Sequence, residues 1–485
     1  MNNSIIRYML GMLLKFEALF LLVPCVTALF YMENEGFAYL VTAVISGGIG
    51  IIATRKKPEN TTFYLKEGCV LTALCWIFLS IFGSLPLLLT GEIKSFVDAL
   101  FEIVSGFTTT GASVIPSVED ISNASNMWRC FTHWIGGMGV LVFILAIMPL
   151  NTGSHINIMK AESPGPSVGK LVPKVRQTAR LLYVIYFSLT VVQVVLLMFG
   201  DMNFFESLAT SFGTAGTGGF GIKNDSMGSF SAYTQWIVTI FMILFGVNFN
   251  AYYLMLLRQF KKAIKIEEVK CYIGIILAAT GIIFIQIVQS VGNVADALRH
   301  SAFQVASIIT TTGYATTDFD LWSQTAKTVL VMLMFIGACA GSTGGGIKVS
   351  RFMIAFKTIA KEMNTYIHPR SVKKIKMDDK PIEHEVVRSV NVYFVTYIII
   401  FSASVLLISF EGKSLVTNFT AVAATFNNVG PGLDMVGPTQ NFSVFNPFSK
   451  LVMIFDMLAG RLELFPLLIL FHPAAWKEMA ASRRK

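Results

Sequence analysis

Charge is scarce in this chain: only 14% of its 485 residues are Asp, Glu, Lys or Arg, against roughly 25% in ordinary soluble domains. That shortage excludes a water-soluble globule of this length. Cysteine is also sparse. Six occur, at Cys25, Cys69, Cys75, Cys130, Cys271 and Cys339, with no CxxC spacing and no pairing with the six scattered histidines. A disulfide framework and a transition-metal site are therefore not expected, and these cysteines read as small buried hydrophobes. No nucleic-acid motif accompanies the formal net charge of +9, so its basic residues read as topogenic loop charge. A clustered nucleophile, base or metal set is also missing, which argues against an enzyme.

What is abundant is apolar sequence: 54% of residues are hydrophobic and 40 are Phe. Windows of about twenty apolar residues mark membrane helices. Ten such windows lie near 5–30, 37–54, 68–90, 128–150, 181–200, 234–257, 271–292, 326–346, 391–410 and 449–472. Arg7 and Lys15 before the first apolar run resemble a signal peptide, but a second run follows closely and ends at Arg55-Lys56-Lys57. The expectation is an uncleaved helical hairpin with both ends in the cytoplasm.

After residue 67 a pattern of span, short semi-polar segment and span occurs four times. The short segments, about 94–110, 203–217, 297–312 and 414–428, cannot cross the bilayer, so they are expected to enter and turn back. Aligning Glu102–Ala112 with Thr210–Phe220, Gln304–Tyr314 and Ala421–Pro431 puts Gly111, Gly219, Gly313 and Gly430 in one column. The fourth column is small throughout: Ser105, Gly213, Ser307 and Ala424. The second segment departs at Gly218, where the others carry Thr110, Thr312 and Val429. Internal repetition of this kind predicts quasi-symmetry around one axis. The expected fold is an all-α polytopic membrane protein of about ten spans and four re-entrant pore helices. Its divisions are an N-terminal hairpin (1–67) and four pore repeats (68–180, 181–270, 271–389 and 390–485).

Basic residues set the orientation. Lys160, Lys170, Lys174, Arg176 and Arg180, then Arg258 to Lys270, then the run from Lys348 to Arg388, then Lys477 to Lys485, follow the second span of each repeat. By the positive-inside rule these loops are cytoplasmic. Glu33, Glu35, Glu119, Asp120, Asp225, Asp318, Asp320 and Asp434 fall on the other side, where an acidic mouth would concentrate cations.

Three constellations carry chemistry. Thr or another small residue before glycine, at the end of a short inward helix, lets backbone carbonyls turn to one axis, as a cation filter requires. The candidate filter is Thr109, Thr110, Gly111; Thr217, Gly218, Gly219; Thr311, Thr312, Gly313; and Asn428, Val429, Gly430. The second constellation, Gly341-Ser342-Thr343-Gly344-Gly345-Gly346 with Lys348, breaks the second span of the third repeat. Its lysine falls one residue late for a phosphate loop and no strand precedes it; an intramembrane lid and simple glycine packing both remain open. The third is Arg461 with Glu463 in the last span. An arginine there costs about 2.5–3.5 kcal/mol on insertion scales, so it faces either a wet cavity or the carboxylate of Glu463. Asn248 and Asn250 either line the same cavity or hydrogen-bond between helices.

Thr108-Thr109-Thr110-Gly111-Ala112, Ala340 to Gly346, Asn427 to Gly432 and Gly460-Arg461-Leu462-Glu463 together resemble the Trk/Ktr/HKT superfamily of potassium-translocating subunits, TrkH type, over essentially the whole chain. The resemblance implies potassium uptake across a bacterial inner membrane, through a gated single-chain pore that needs no cofactor of its own. Glycine in all four columns goes with potassium selectivity in that superfamily. It further implies that the Gly341–Gly346 loop gates conduction with Arg461 beneath the filter, and that the chain is a homodimer with its N-terminus in the cytoplasm. A cytoplasmic nucleotide-binding ring of the TrkA type would regulate it, docking on the basic segment Lys348–Arg388, which otherwise reads as topogenic charge and lipid contact. No Gly-Tyr-Gly occurs in this chain, so a less selective potassium/sodium pore stays open. Sodium- or proton-coupled transport is the other alternative, although the repeats run parallel rather than inverted.

Overall fold

The computed structural model describes residues 3–58, 65–139, 175–370 and 373–473. Helices dominate, in the order α1 (Asn3–Phe20), α2 (Leu22–Tyr31), α3 (Gly36–Thr54), α4 (Leu65–Leu89), α5 (Phe96–Phe107), α6 (Asn123–Gly137), α7 (Val175–Met198), α8 (Phe204–Gly216), α9 (Ala232–Gly246) and α10 (Phe249–Leu256). They continue with α11 (Phe260–Lys265), α12 (Glu267–Val291), α13 (Val294–Ile309), α14 (Gln324–Ile336), α15 (Val349–Ile367), α16 (His384–Ser409), α17 (Leu415–Phe426), α18 (Pro447–Arg461) and α19 (Phe465–Phe471). A two-stranded antiparallel pair, β1 (Lys376–Met377) and β2 (Lys380–Pro381), precedes α16.

Polarity is inverted relative to a soluble core. Leu277, Ile285 and Ile399 are 68%, 69% and 63% exposed, whereas Glu102, Arg129 and Asp456 are buried. Such a surface is stable only against lipid. Among the described residues six helical stretches are long and apolar enough to span a bilayer: 3–31, 36–54, 66–89, 180–198, 267–291 and 384–409. The α9–α10 pair adds a seventh if its 90° bend is counted within one span.

The remaining apolar windows are interrupted for visible reasons. The window 128–150 runs past residue 139 and so leaves the described residues, as do Lys160, Lys170, Lys174, the side chain of Arg176, and the C-terminal basic cluster. The window 326–346 breaks at Gly337 (φ 71°), and 449–472 breaks at Glu463 and Leu464 (φ 64° and 62°). Ser or Asn side chains cap many of the helix starts, at Ser122, Asn203, Ser231, Asn293, Ser323, Ser414 and Asn446. Each cap satisfies an otherwise orphaned amide and contributes about 1 kcal/mol.

The four short helices α5, α8, α13 and α17 have 12, 13, 16 and 12 residues. At 1.5 Å per residue they reach only about 18–24 Å. Each packs against the two helices that flank it in sequence. Each also packs against one helix from the preceding group: α5 against α18, α8 against α6, α13 against α9 and α17 against α14. That chain of contacts returns to its start, so the C-terminal ends of the four short helices meet around a common centre.

Candidate functional site

All four short helices end alike. The amides of Thr110, Gly218, Thr312 and Val429 donate to the carbonyls of Ser105, Gly213, Ser307 and Ala424, at 2.8, 2.9, 2.8 and 2.8 Å. This capping turn requires a left-handed residue. Thr109, Thr217, Thr311 and Asn428 supply it, with φ of 55°, 55°, 59° and 55°. For the threonines this is a strained conformation, since β-branched residues seldom tolerate positive φ, and strain of this kind collects at functional sites. Gly111, Gly219, Gly313 and Gly430 follow two residues later with φ of 80°, 78°, 85° and 99°, and the residue between is never left-handed. Alternating handedness turns successive carbonyls toward the same side.

The glycines also close a ring. A Cβ on Gly111 would overlap the carbonyl oxygen of Gly218, one on Gly219 that of Thr312, and one on Gly313 that of Val429. A Cβ on Gly430 would lie 2.8 Å from Thr110 O, which brings the circuit back to the first segment. Side chains add cross-ties. Asn428 Nδ2 donates to Thr110 Oγ1 (2.9 Å) and Met457 O (2.9 Å), and the Tyr314 hydroxyl donates to Thr210 O (3.2 Å). Tyr314 also accounts for the small residue at Gly213, because a Cβ there would strike its hydroxyl. Thr109 Oγ1 and Asn428 Oδ1 are buried and make no hydrogen bond within the protein.

The glycine-rich loop abuts this ring. Residues 337–348 leave α14 and return to it: the amides of Ile347, Lys348 and Val349 donate to Phe335, Ile336 and Ala338 carbonyls at 3.3, 3.0 and 3.1 Å. Between those ends the loop reaches the third and fourth segments, where Gly345 N donates to Thr311 Oγ1 (2.6 Å) and Gly346 N to Asn427 O (3.0 Å). It also docks on α9 and α10. Thr343 Oγ1 donates to Phe245 O (3.2 Å), Phe249 N donates to Gly341 O (3.0 Å), and Ser342 Oγ turns inward to Cys339 O (2.6 Å). A Cβ on Gly344 would lie 2.9 Å from Thr310 O.

Arg461 lies against the loop from the opposite side. Its guanidinium donates to Thr343 O (2.9 Å), Gly136 O (2.6 Å) and Gly137 O (2.9 Å). A cation at the carbonyl end of α6 also complements that helix's dipole. Lys348 Nζ donates to Gly344 O within the loop. Glu463 forms an ion pair with Arg351 in the first turn of α15, and Arg351 also stacks over Tyr393 at 3.9 Å. Sequence alone left two environments open for Arg461, a wet cavity or the Glu463 carboxylate; the break at Glu463 and Leu464 sends that carboxylate toward Arg351 of α15.

Several residues that organise the site carry no sequence motif. Glu268, buried in the first turn of α12, accepts from Ala340 N (2.6 Å), Ser350 N (3.2 Å) and Asn248 Nδ2 (3.2 Å), so one carboxylate holds both ends of the loop. Asn248 itself caps α10 at the bend, with Asn250 N donating to its side chain (2.9 Å). Behind the first segment Glu102 pairs with Arg129 at 2.7 Å, both fully buried. Asp456, also buried, accepts from Ser404 Oγ (2.6 Å). A charge inside an apolar helix was the available signal for Glu102, Arg129 and Asp456. The acids of the other face act as loop staples. Asp320 accepts from Asp434 N (3.0 Å), and Asp434 accepts from Ser414 Oγ (2.5 Å) and Thr417 Oγ1 (2.6 Å). Those two hydroxyls hold the Asp434 carboxyl below the usual aspartate range.

An inverted helical surface and several bilayer-length apolar helices define a multi-pass membrane protein. Residues 37–478 match the family model TrkH, cation transport protein, and the chain belongs to that family. Its curated relatives include the Trk system potassium uptake protein TrkH of Salmonella typhimurium, 33% identical with 99% of this chain and 100% of the relative covered. The TrkG protein of Escherichia coli is 33% identical over 98% and 100%. The crystal structure of the potassium transporter TrkH from Vibrio parahaemolyticus superimposes with a TM-score of 0.88 at 32% identity, covering 98% of this chain and 100% of that one. These relatives are transport proteins rather than enzymes.

Proposed function

We propose that this chain takes up potassium across a bacterial inner membrane through a single gated pore, with the four glycine segments as its selectivity filter. The observation that carries the reading is the closed circuit of glycine-to-carbonyl contacts from Gly111 through Gly219, Gly313 and Gly430. A desolvating cation needs oxygens that do not rearrange when it enters, and a ring jammed glycine against carbonyl supplies them. Thr109 Oγ1 and Asn428 Oδ1, uncommitted at the inner end, add oxygens beside the carbonyls. The cyclic packing of the short helices supports four pore repeats with the boundaries given above, and a count of about ten spans that includes the broken ones.

In this reading the 337–348 loop closes the pathway and Arg461 holds it shut. Opening requires the loop to leave Thr311 Oγ1, Asn427 O and the Arg461 guanidinium. The loop's two ends remain clamped by α14 and Glu268, so the tip can move without unravelling the helices. The basic stretch from Lys348 to Arg388 would carry the signal from a cytoplasmic nucleotide-binding ring, and the family resemblance implies a homodimer.

The test is tracer potassium and sodium flux into proteoliposomes, with and without a candidate cytoplasmic ring subunit. Potassium flux that follows the membrane potential, exceeds sodium flux and responds to the ring supports the reading. Flux that requires an opposing or accompanying ion gradient would replace the pore with a coupled transporter.

A further inference from the structure

We propose that His133 is a positioning residue that sets ion discrimination at the second corner of the ring. The inference rests on the ring being the filter. Three observations converge on it. First, both imidazole nitrogens are committed to backbone groups beside the filter: Phe220 N donates to Nε2 (3.1 Å), and Nδ1 lies 2.8 Å from Gly106 O. Because Nε2 must accept, the proton resides on Nδ1 and is donated to Gly106 O. One side chain therefore ties the residue after Gly219 to the helix that presents Gly111.

Second, the ring fills the space that makes segment two unlike the others. A Cβ on Gly218 would overlap the imidazole, which explains why glycine stands where the other segments have Thr110, Thr312 and Val429. The imidazole replaces the missing side chain from outside the segment. Third, Phe220 is held between two groups four residues apart on α6: the Arg129 guanidinium carbon lies 4.2 Å from its ring centroid, and the His133 ring centroid 4.3 Å from it. Arg129 is in turn fixed by Glu102. The face of α6 that carries Arg129 and His133 thus acts as a splint between segments one and two. The other junctions use Tyr314, the 337–348 loop and Asn428 instead.

Removing the imidazole leaves the buried Phe220 N–H unpaired and reduces Gly106 O to its bond from Thr109 N (3.1 Å), which frees the Gly219 carbonyl region to relax and admit a smaller cation. Glutamine carries an NH2 donor and a carbonyl acceptor side by side and can restore both bonds; leucine fills space and restores neither. The experiment measures potassium-to-sodium permeability ratios in planar bilayers for wild-type protein, His133→Leu, His133→Gln and, as a control on the filter itself, Gly219→Ala. The expected result is a ratio lowered about tenfold in His133→Leu with potassium current retained, and within about twofold of wild type in His133→Gln. A wild-type ratio in His133→Leu alongside a collapsed ratio in Gly219→Ala overturns the role of His133 and leaves the filter standing. Unchanged ratios in both overturn the filter reading. A glutamine variant as impaired as the leucine one also overturns the proposal. If His133→Leu does not fold, nitrogen NMR of histidine-labelled wild-type protein decides: a bare Nε2 with protonated Nδ1 supports the splint, and a protonated Nε2 refutes it.

Discussion

The ring and the loop beside it are both rich in glycine, yet they are held differently. Ring glycines are pressed against backbone carbonyls of another segment, at all four corners. The loop is joined to its surroundings by a mixture of backbone pairs, such as Gly346 N to Asn427 O and Phe249 N to Gly341 O, and single side-chain ties at Thr311 Oγ1, Thr343 Oγ1 and the Arg461 guanidinium. At Gly341 a Cβ would meet nothing closer than 3.5 Å. The ring's contacts close on one another, so none can open without disturbing the rest, whereas each tie of the loop is a single hydrogen bond that can break and re-form. Glycine therefore serves rigidity in the proposed filter and mobility in the proposed gate.

The sharpest way to break this comparison is at the ring. Gly219→Ala places a Cβ against Thr312 O at a residue with φ of 78°. Discrimination between potassium and sodium should fall by about tenfold or more, read as a shift in reversal potential under biionic conditions.

At the loop, Arg461→Ala removes three charge-assisted hydrogen bonds. Only the bond to Thr343 O reaches the loop, and at about 1.5–3 kcal/mol its loss should raise the open-to-closed ratio at least about tenfold with the permeability ratio unchanged, as single-channel recording would show. Glu268→Gln keeps the shape of the clamp but loses its charge. A smaller gain in open probability, about threefold, is expected by the same recording.

The smallest effect lies farthest from both regions. Asp434 has a carboxyl held below its ordinary value by Ser414 and Thr417, so the stability it contributes is present above the unfolded aspartate value near 3.9 and is lost as pH falls through the folded one. Thermal unfolding followed by tryptophan fluorescence should drop below about pH 4. Asp434→Asn should flatten that drop by no more than about 2 °C, because the side chain is exposed.

Hydropathy and glycine spacing make the long helices, the four short segments and the loop legible in the sequence, since burial in lipid and the need for positive φ leave direct marks on composition. The column Gly111, Gly219, Gly313 and Gly430 could be drawn from the sequence, and each member turns out left-handed and crowded. What could not be read was partnership. Glu463 pairs with Arg351, 112 positions away, although Arg461 is its neighbour in sequence. His133 passed for an isolated histidine because both its partners are backbone groups, which no motif announces. Glu268 sits at the edge of a basic loop with no motif to mark it, and only the return of residues 337–348 to α14 brings Ala340 and Ser350 to the same carboxylate.

The central claim, that one glycine-rich region selects and the other gates, is tested most directly by recording Gly219→Ala and Arg461→Ala in the same bilayers and measuring permeability ratio and open probability for each. The account predicts a lowered ratio with little change in gating for the first, and raised opening with an unchanged ratio for the second. A changed ratio in Arg461→Ala, with an unchanged one in Gly219→Ala, would contradict it.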